Sequence, residues 1–336
     1  NDQGLVGLAV TPDRRPLRVH HTTDDESRLV AYPLDDGRPY QTGSFVVLIV
    51  RQPSTQHNGG SIEFDADGAL WVSFGDGGGH GDKYANAQDP ATPLGAILRV
   101  TLQLDGGPII EGAPGNPYLD GEQGHPWVFA NGIRNPFRFS IDPMTSEVWI
   151  GDVGQASMEA VSELDPAPDA GANLGSNVFE GNRPVLGELT EEHHAPVFAY
   201  GRDGGFCVVV GGHVYRGAAI PELAGTYVFS DWCRGEVLVF DRDTGVAGRT
   251  GVEVGSPVDI EPDPDGELHV VSMTGEVFRL EPTANQHRAA EADAPLKHVH
   301  QEQQRDARDE RLRHEEGDAS RLWFGGCRVG VAHCGH

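Results

Sequence analysis

Ile62-Glu63-Phe64-Asp65-Ala66-Asp67-Gly68, running into Leu70-Trp71-Val72, reads as an alternating strand, an Asp/Gly turn and a second strand. Alternation places successive side chains on opposite faces of a sheet, and Asp and Gly supply the local bonding and the backbone freedom of a tight turn. The unit recurs at uneven intervals. The copies are Leu8-Ala9-Val10-Thr11-Pro12-Asp13 into Leu17-Arg18-Val19, Phe139-Ser140-Ile141-Asp142-Pro143 into Val148-Trp149-Ile150, and Val258-Asp259-Ile260-Glu261-Pro262-Asp263-Pro264-Asp265-Gly266 into Leu268-His269-Val270. A more divergent copy is Gly212-His213-Val214-Tyr215 into Thr226-Tyr227-Val228-Phe229. A hairpin repeated along a chain implies a ring of strand–turn–strand units, with strands such as Ile97-Leu98-Arg99-Val100 and Val237-Leu238-Val239-Phe240 completing the blades. The insertions fall between copies, where loops carry binding groups.

Composition agrees with an all-β reading. The 336 residues include Gly 45 and Pro 23, with aromatics at 7%, a balance that favours many turns and hence a sandwich, barrel or propeller. No apolar run approaches the roughly 20 residues needed to span a bilayer as a helix. The chain shows neither an N-terminal Met nor a signal peptide and is expected to be a processed product or a fragment. The formal charge is −26, which disfavours nucleic acid, since phosphate binding needs clustered cations. Residues 284–336 lose the repeat and carry 8 Lys+Arg against 9 Asp+Glu, so nearly all of the acidity belongs to residues 1–283. This tail is expected to be helical or disordered and to stand outside the propeller. Of the four cysteines, Cys207 and Cys233 each lie beside a strand of the divergent copy, while Cys327 and Cys334 lie in the tail. A bond between the first two would stabilise by about 3 kcal/mol if geometry permits.

Four groups of residues are able to carry chemistry. Gly132-Ile133-Arg134-Asn135-Pro136 leads into the strand through Phe137 and Phe139, and Gly151-Asp152-Val153-Gly154-Gln155 follows the next strand. A guanidinium, an amide and free carbonyls then share one rim, either to meet a ligand or, for Arg134, merely to satisfy loop carbonyls. His57, in Gln56-His57-Asn58-Gly59-Gly60, is either a general base or the cap of a turn. Gly75-Asp76-Gly77-Gly78-Gly79-His80-Gly81-Asp82 lacks the spacing of known calcium or phosphate loops and reads as a Gly-rich turn. Asp152, Gln155 and Glu159 form an oxygen-rich cluster suited to a hard cation.

Taken together, these motifs resemble the glucose/sorbosone dehydrogenase family, which includes soluble pyrroloquinoline quinone (PQQ) sugar and aldose dehydrogenases and hedgehog-interacting-like propellers. The resemblance covers residues 4 to about 281, from Gly4-Leu5-Val6-Gly7-Leu8-Ala9 through Gly95-Ala96-Ile97-Leu98-Arg99-Val100 and Gly211-Gly212-His213-Val214-Tyr215 to Gly225-Thr226-Tyr227-Val228-Phe229-Ser230-Asp231 and the last copy of the repeat. It implies a six-bladed β-propeller with a cofactor on its top face. It also implies that His57 takes the proton of a sugar's anomeric hydroxyl, that Arg134 and Asn135 polarise the quinone, and that Gly154 and Gln155, buttressed by Glu159, bind Ca2+. An external electron acceptor would complete the turnover.

Two departures bear on this expectation. Family enzymes hold the PQQ carboxylates with a Lys and late Arg residues. Cys233 stands at the Lys position, Gly255-Ser256-Pro257-Val258-Asp259 stands near the late arginines, and Arg234 is the cation that remains. The Cys207/Cys233 arrangement is similar to the hedgehog-interacting-like branch. That likeness predicts a disulfide with Cα atoms within about 7 Å, no pairing of either with Cys327 or Cys334, and a periplasmic or extracellular location. The family also carries roughly one more blade before Gly4, so part or all of the first blade is expected to be missing, with an exposed edge strand. A sugar dehydrogenase is the leading expectation. The alternative is a non-catalytic, calcium-containing propeller that binds a protein or a glycan.

Overall fold

Every copy of the repeat closes into an antiparallel hairpin. In the second, Ile62 pairs with Val72 and Phe64 with Leu70; in the third, Phe139 pairs with Ile150 and Ile141 with Val148. The computed structural model describes residues 3–11, 16–103, 108–187, 193–282 and 329–333. Within them, two further strands extend each hairpin into a sheet. Blade one is Leu5–Val10, Leu17–Thr22, Glu26–Tyr32 and Phe45–Arg51; blade two is Ile62–Phe64, Leu70–Phe74, Ala96–Gln103 and Ile109–Gly112, with Val128–Asn131 added against Ala96–Gln103. Blade three is Pro136–Ile141, Val148–Asp152, Met158–Leu164 and Phe198–Gly201; blade four is Val209–Val214, Tyr227–Asp231, Glu236–Asp241 and Val246–Glu253. Blade five is Pro257–Pro262, Leu268–Ser272, Val277–Pro282 and Val329–His333.

Two expectations are corrected here. The described residues form five blades, not six, because each copy of the hairpin repeat supplies the first two strands of one blade. The segment after residue 283 does not stand wholly outside the propeller: Val329–His333 pairs antiparallel with Val277–Pro282 as the fourth strand of blade five. The rest of that segment, including Cys327, Cys334 and the charged stretch 301–314, lies outside the described residues.

The blades are glued face to face. Leu29 and Leu48 of blade one meet Leu70, Val72 and Leu98 of blade two. Trp71 and Ile97, on the other face of blade two, meet Phe139 and Ile150 of blade three. Trp149, Val161 and Phe198 meet Phe229 and Phe240, and Val228 and Val237 meet Ile260, Val270 and Leu280. Neighbours in sequence such as Trp71/Val72 and Val228/Phe229 thus serve opposite seams, which is the period-two pattern of a strand buried on both faces. Each fully buried Val, Leu, Ile or Phe contributes roughly 1.5–3 kcal/mol. Blade one leaves an apolar sheet face uncovered: Leu8 and Val10 on the first strand and Val46 and Ile49 on the fourth are exposed.

In an antiparallel hairpin, the start of the first strand and the end of the second lie at the same end. The loops around His57, Asp76, Arg134, Gly154, Cys207 and Cys233 therefore gather on one rim. Their cross-links show it: Gly59 N–H donates to Asn135 Oδ1 at 3.2 Å, Asp76 N–H to Arg134 O at 2.9 Å, and Gly81 N–H to Gln155 Oε1 at 2.5 Å.

Candidate functional site

His57 sits before the first strand of blade two with φ of 53°, a left-handed conformation uncommon for a side-chain-bearing residue and often found at functional positions. Gly75 allows the approach that holds it there. A Cβ on Gly75 would lie 2.2 Å from His57 O and 2.8 Å from Arg134 O, so only glycine lets the two loops meet at this point.

The ring of His57 is buried and held from both sides. Nδ1 lies 2.7 Å from Asp76 Oδ1, and Nε2 lies 2.7 Å from Arg134 Nη2. An ionised carboxylate only accepts and a guanidinium only donates. The arrangement therefore selects the imidazole with its proton on Nδ1 and its lone pair on Nε2. Asp76 is itself fixed by Gly78 N–H at 2.8 Å. The Gly75–Asp82 loop, which reads from sequence as a plain turn, thus supplies the partner of the histidine. The signal that was present is a carboxylate followed by two glycines, Asp76-Gly77-Gly78.

Arg134 is half-buried. Its Nη1 donates to Val153 O at 2.8 Å, and its Nε is buried with no hydrogen-bond partner. Burial lowers its pKa from the ordinary guanidinium value, against the carboxylates of Asp152, Asp76 and Glu159. Asp152 anchors the Arg134-Asn135 turn through its two oxygens, accepting Asn135 N–H at 2.7 Å and Arg134 N–H at 3.3 Å. Burial raises the Asp152 pKa to about 6 in spite of those bonds.

These groups border a cavity of about 160 Å³ whose polar lining includes Asp76, Asp82, Arg134, Asp152, Gln155 and Glu180, with Leu174, Phe179 and Leu186 as apolar wall. Glu180 is the anchor of the loop after blade three's second strand. It accepts Ala156 N–H at 2.5 Å, Ser157 N–H at 2.8 Å, Met158 N–H at 3.3 Å and Ser157 Oγ–H at 2.6 Å. Burial alone would raise its pKa; those donors instead pull it down to about 2.

The structure does not bring all of the sequence candidates together as open ligand groups. His57 and Arg134 touch, Asn135 is beside them, and Gly154 and Gln155 line the cavity. The carbonyls of Gly154 and Gln155, however, accept from Arg202, Nη2 to Gly154 O at 2.9 Å and Nη1 to Gln155 O at 3.4 Å. Glu159 is completely buried and binds the same guanidinium at 2.7 Å. The calcium donor set expected from sequence is therefore already engaged. Burial raises the Glu159 pKa to about 7, opposed by Val209 N–H and by Arg202. Sequence reading missed Arg202, since a single Arg after the Phe198–Gly201 strand carries no motif.

Arg234 is likewise not an open cation of the cavity. It pairs with Glu236 at 3.4 Å and donates to Gly204 O at 3.3 Å. Its neighbour Cys233 is disulfide-bonded to Cys207, with Cα atoms 5.6 Å apart. The corner is built on Asp231, fully buried, which accepts N–H groups from Cys207, Val208, Cys233 and Arg234 and the hydroxyl of Tyr200. The predicted bridge between Cys207 and Cys233, which flank the first hairpin of blade four, is therefore present.

The family model described as Glucose / Sorbosone dehydrogenase matches residues 4–279. The HIPL1 protein of Arabidopsis thaliana is 32% identical over 206 residues, covering 53% of this chain and 29% of that protein. The Hedgehog-interacting protein of Homo sapiens is 27% identical over 248 residues, covering 69% of this chain and 33% of that protein. The matched region thus spans about a third or less of these relatives. Among solved structures, a glucose dehydrogenase superposes with a TM-score of 0.66 at 19% identity, over 83% of each chain, which shows the common propeller fold.

Proposed function

The chain belongs to the Glucose / Sorbosone dehydrogenase family, and from that premise we propose that it oxidises the anomeric hydroxyl of a sugar at His57. The observation that carries this reading is the fixed tautomer: Asp76 on Nδ1 leaves the lone pair of Nε2 facing Arg134, which lines an acidic, polar cavity. A neutral polyol suits that lining, because its hydroxyls both donate and accept and bring no further charge into an acidic cavity. A sugar hydroxyl takes the place of Arg134 Nη2 at His57 Nε2 and gives up its proton there. Arg134 stabilises the developing negative charge on oxygen.

PQQ, the cofactor implied by the family resemblance, would accept the hydride from the anomeric carbon. The residues fit one end of it. The unpartnered Nε of Arg134 and the amide of Asn135 are donors for quinone oxygens. The other end fits poorly, because Arg234 is already paired with Glu236, and the Lys position is a disulfide. Three carboxylates without paired cations bind weakly. Calcium does not fit, since its carbonyl donors are taken by Arg202, and no step is assigned to it.

The test is dye reduction across an aldose panel, with and without added PQQ, comparing the wild type with His57→Gln. Reduction that requires His57 supports the reading; none with any aldose, together with no PQQ binding by calorimetry, sinks it. A second reading, a non-catalytic propeller binding a protein or glycan on this rim, is favoured by one observation. The Cys207–Cys233 bridge closes the place where a carboxylate-binding Lys is expected. In either reading the bridge argues for an oxidising compartment, periplasmic or extracellular, and the substrate or ligand is not nucleic acid.

A further inference from the structure

We propose that the cation seat at Gly154, Gln155 and Glu159 is filled by the protein's own Arg202, so that the chain needs no divalent ion there. The inference stands apart from the sugar-oxidation reading, because it concerns occupancy of the seat and not turnover.

The geometry is that of a built site. Arg202 Nε and Nη2 reach Glu159 Oε1 at 2.9 and 2.7 Å, and the same Nη2 reaches Gly154 O at 2.9 Å. Nη1 lies 3.4 Å from Gln155 O. The second oxygen of Glu159 is satisfied by Gly154 N–H at 3.2 Å and Val209 N–H at 3.0 Å. One guanidinium fork therefore meets all three oxygen groups that the sequence offers to a metal, and Glu159 keeps no oxygen in reserve.

A calcium ion needs six to eight oxygens at about 2.3–2.6 Å. The neighbouring carboxylates do not make up the number. Glu180 is committed to the N–H groups of 156–158, and Asp152 to those of Arg134 and Asn135. Among the described residues, no group of three or more His, Cys, Asp or Glu is arranged to hold a metal. A guanidinium is less strongly hydrated than an ammonium, so Arg202 is suited to a partly buried seat. It also has a mechanical role: through Glu159 it ties the 154–155 turn of blade three to Val209, the first residue of blade four.

The experiment is calorimetric titration of chelator-treated protein with calcium chloride, for the wild type, Arg202→Ala and Arg202→Lys. Removing the guanidinium frees one carboxylate and two carbonyls and leaves room for water to complete a calcium shell, so Arg202→Ala should bind calcium roughly tenfold or more tighter than wild type, or gain one equivalent. Arg202→Lys, which restores a cation, should cancel most of that gain. Equal or weaker binding by a folded Arg202→Ala overturns the proposal. Should the alanine variant not fold, the wild type decides: its unfolding midpoint should be the same in chelator and in millimolar calcium. A calcium-dependent rise in midpoint that Glu159→Gln abolishes would overturn it equally.

Discussion

Replacing Glu180 by Gln tests whether a single charge holds the floor of the cavity. The carboxylate accepts three backbone N–H groups and one hydroxyl from Ala156, Ser157 and Met158, and its pKa falls from 4.5 to about 2. A folded pKa below the unfolded one means that the native state stabilises the ionised form. The contribution is fully present above the unfolded pKa and is lost as pH falls through the folded one. A fall from 4.5 to about 2, at about 1.36 kcal/mol per pH unit, corresponds to roughly 3 kcal/mol at pH 7, shrinking to roughly 1 kcal/mol at pH 3. Gln keeps the shape and one acceptor but loses the charge, so the stability gap between wild type and Glu180→Gln should follow that curve. Urea unfolding of both proteins at a series of pH values from 7 to 3 measures it. A gap that stays constant across the series would refute the reasoning, because the loss would then come from shape or packing and not from the carboxylate's charge.

Gly75→Ala should destabilise by about 1–3 kcal/mol in urea unfolding, since its Cβ collides with backbone and not with a movable side chain. In the same variant the His57–Arg134 contact should lengthen, as seen in a crystal structure. Reduction of Cys207–Cys233, which closes a separation of 26 residues, should lower stability by about 3.5 kcal/mol on the loop-entropy estimate. Unfolding midpoints with and without reductant give the value, and free thiols in a non-reducing peptide map of folded protein would remove the bond. Asp76→Asn should release the Nδ1–H tautomer of His57, visible in the imidazole 15N shifts. If the site oxidises sugars, the same change should lower kcat by roughly 10²–10⁴-fold.

The fold was legible because its cause is local. Alternation in Phe139-Ser140-Ile141 and in Val148-Trp149-Ile150 sets which face each side chain buries, and the Asp/Pro/Gly turns set where the chain reverses. Counting hairpins gives the five blades directly; the count of six rested on the family and not on the residues of this chain. The strand Val329–His333 was not legible for a related reason. It joins Val277–Pro282 across 46 intervening residues, and its own short alternation, Val329 and Val331, is indistinguishable from chance in a charged tail.

The site was legible only where a motif fixes the backbone. His57 and Arg134 are flanked by Gly and Pro, which constrain how each loop enters its strand, so their convergence follows from hairpin geometry. Arg202, Glu180 and Asp231 act through partners far away in sequence: Glu180 binds a loop 22–24 positions earlier, and Arg202 reaches 43 positions back to Glu159. Nothing in the spacing of such residues reports the pairing, because it is created by the packing together of strands and loops that are distant in sequence. This difference explains why the expected metal donors and the observed ones diverge. The carbonyls of Gly154 and Gln155 are where sequence places them, on the rim of the cavity. Which cation they receive is decided by the last strand of the same blade, which ends at Gly201 and delivers Arg202 to them. The composition of a short loop fixes the acceptors of a site, and a residue brought back by tertiary structure fixes their occupant.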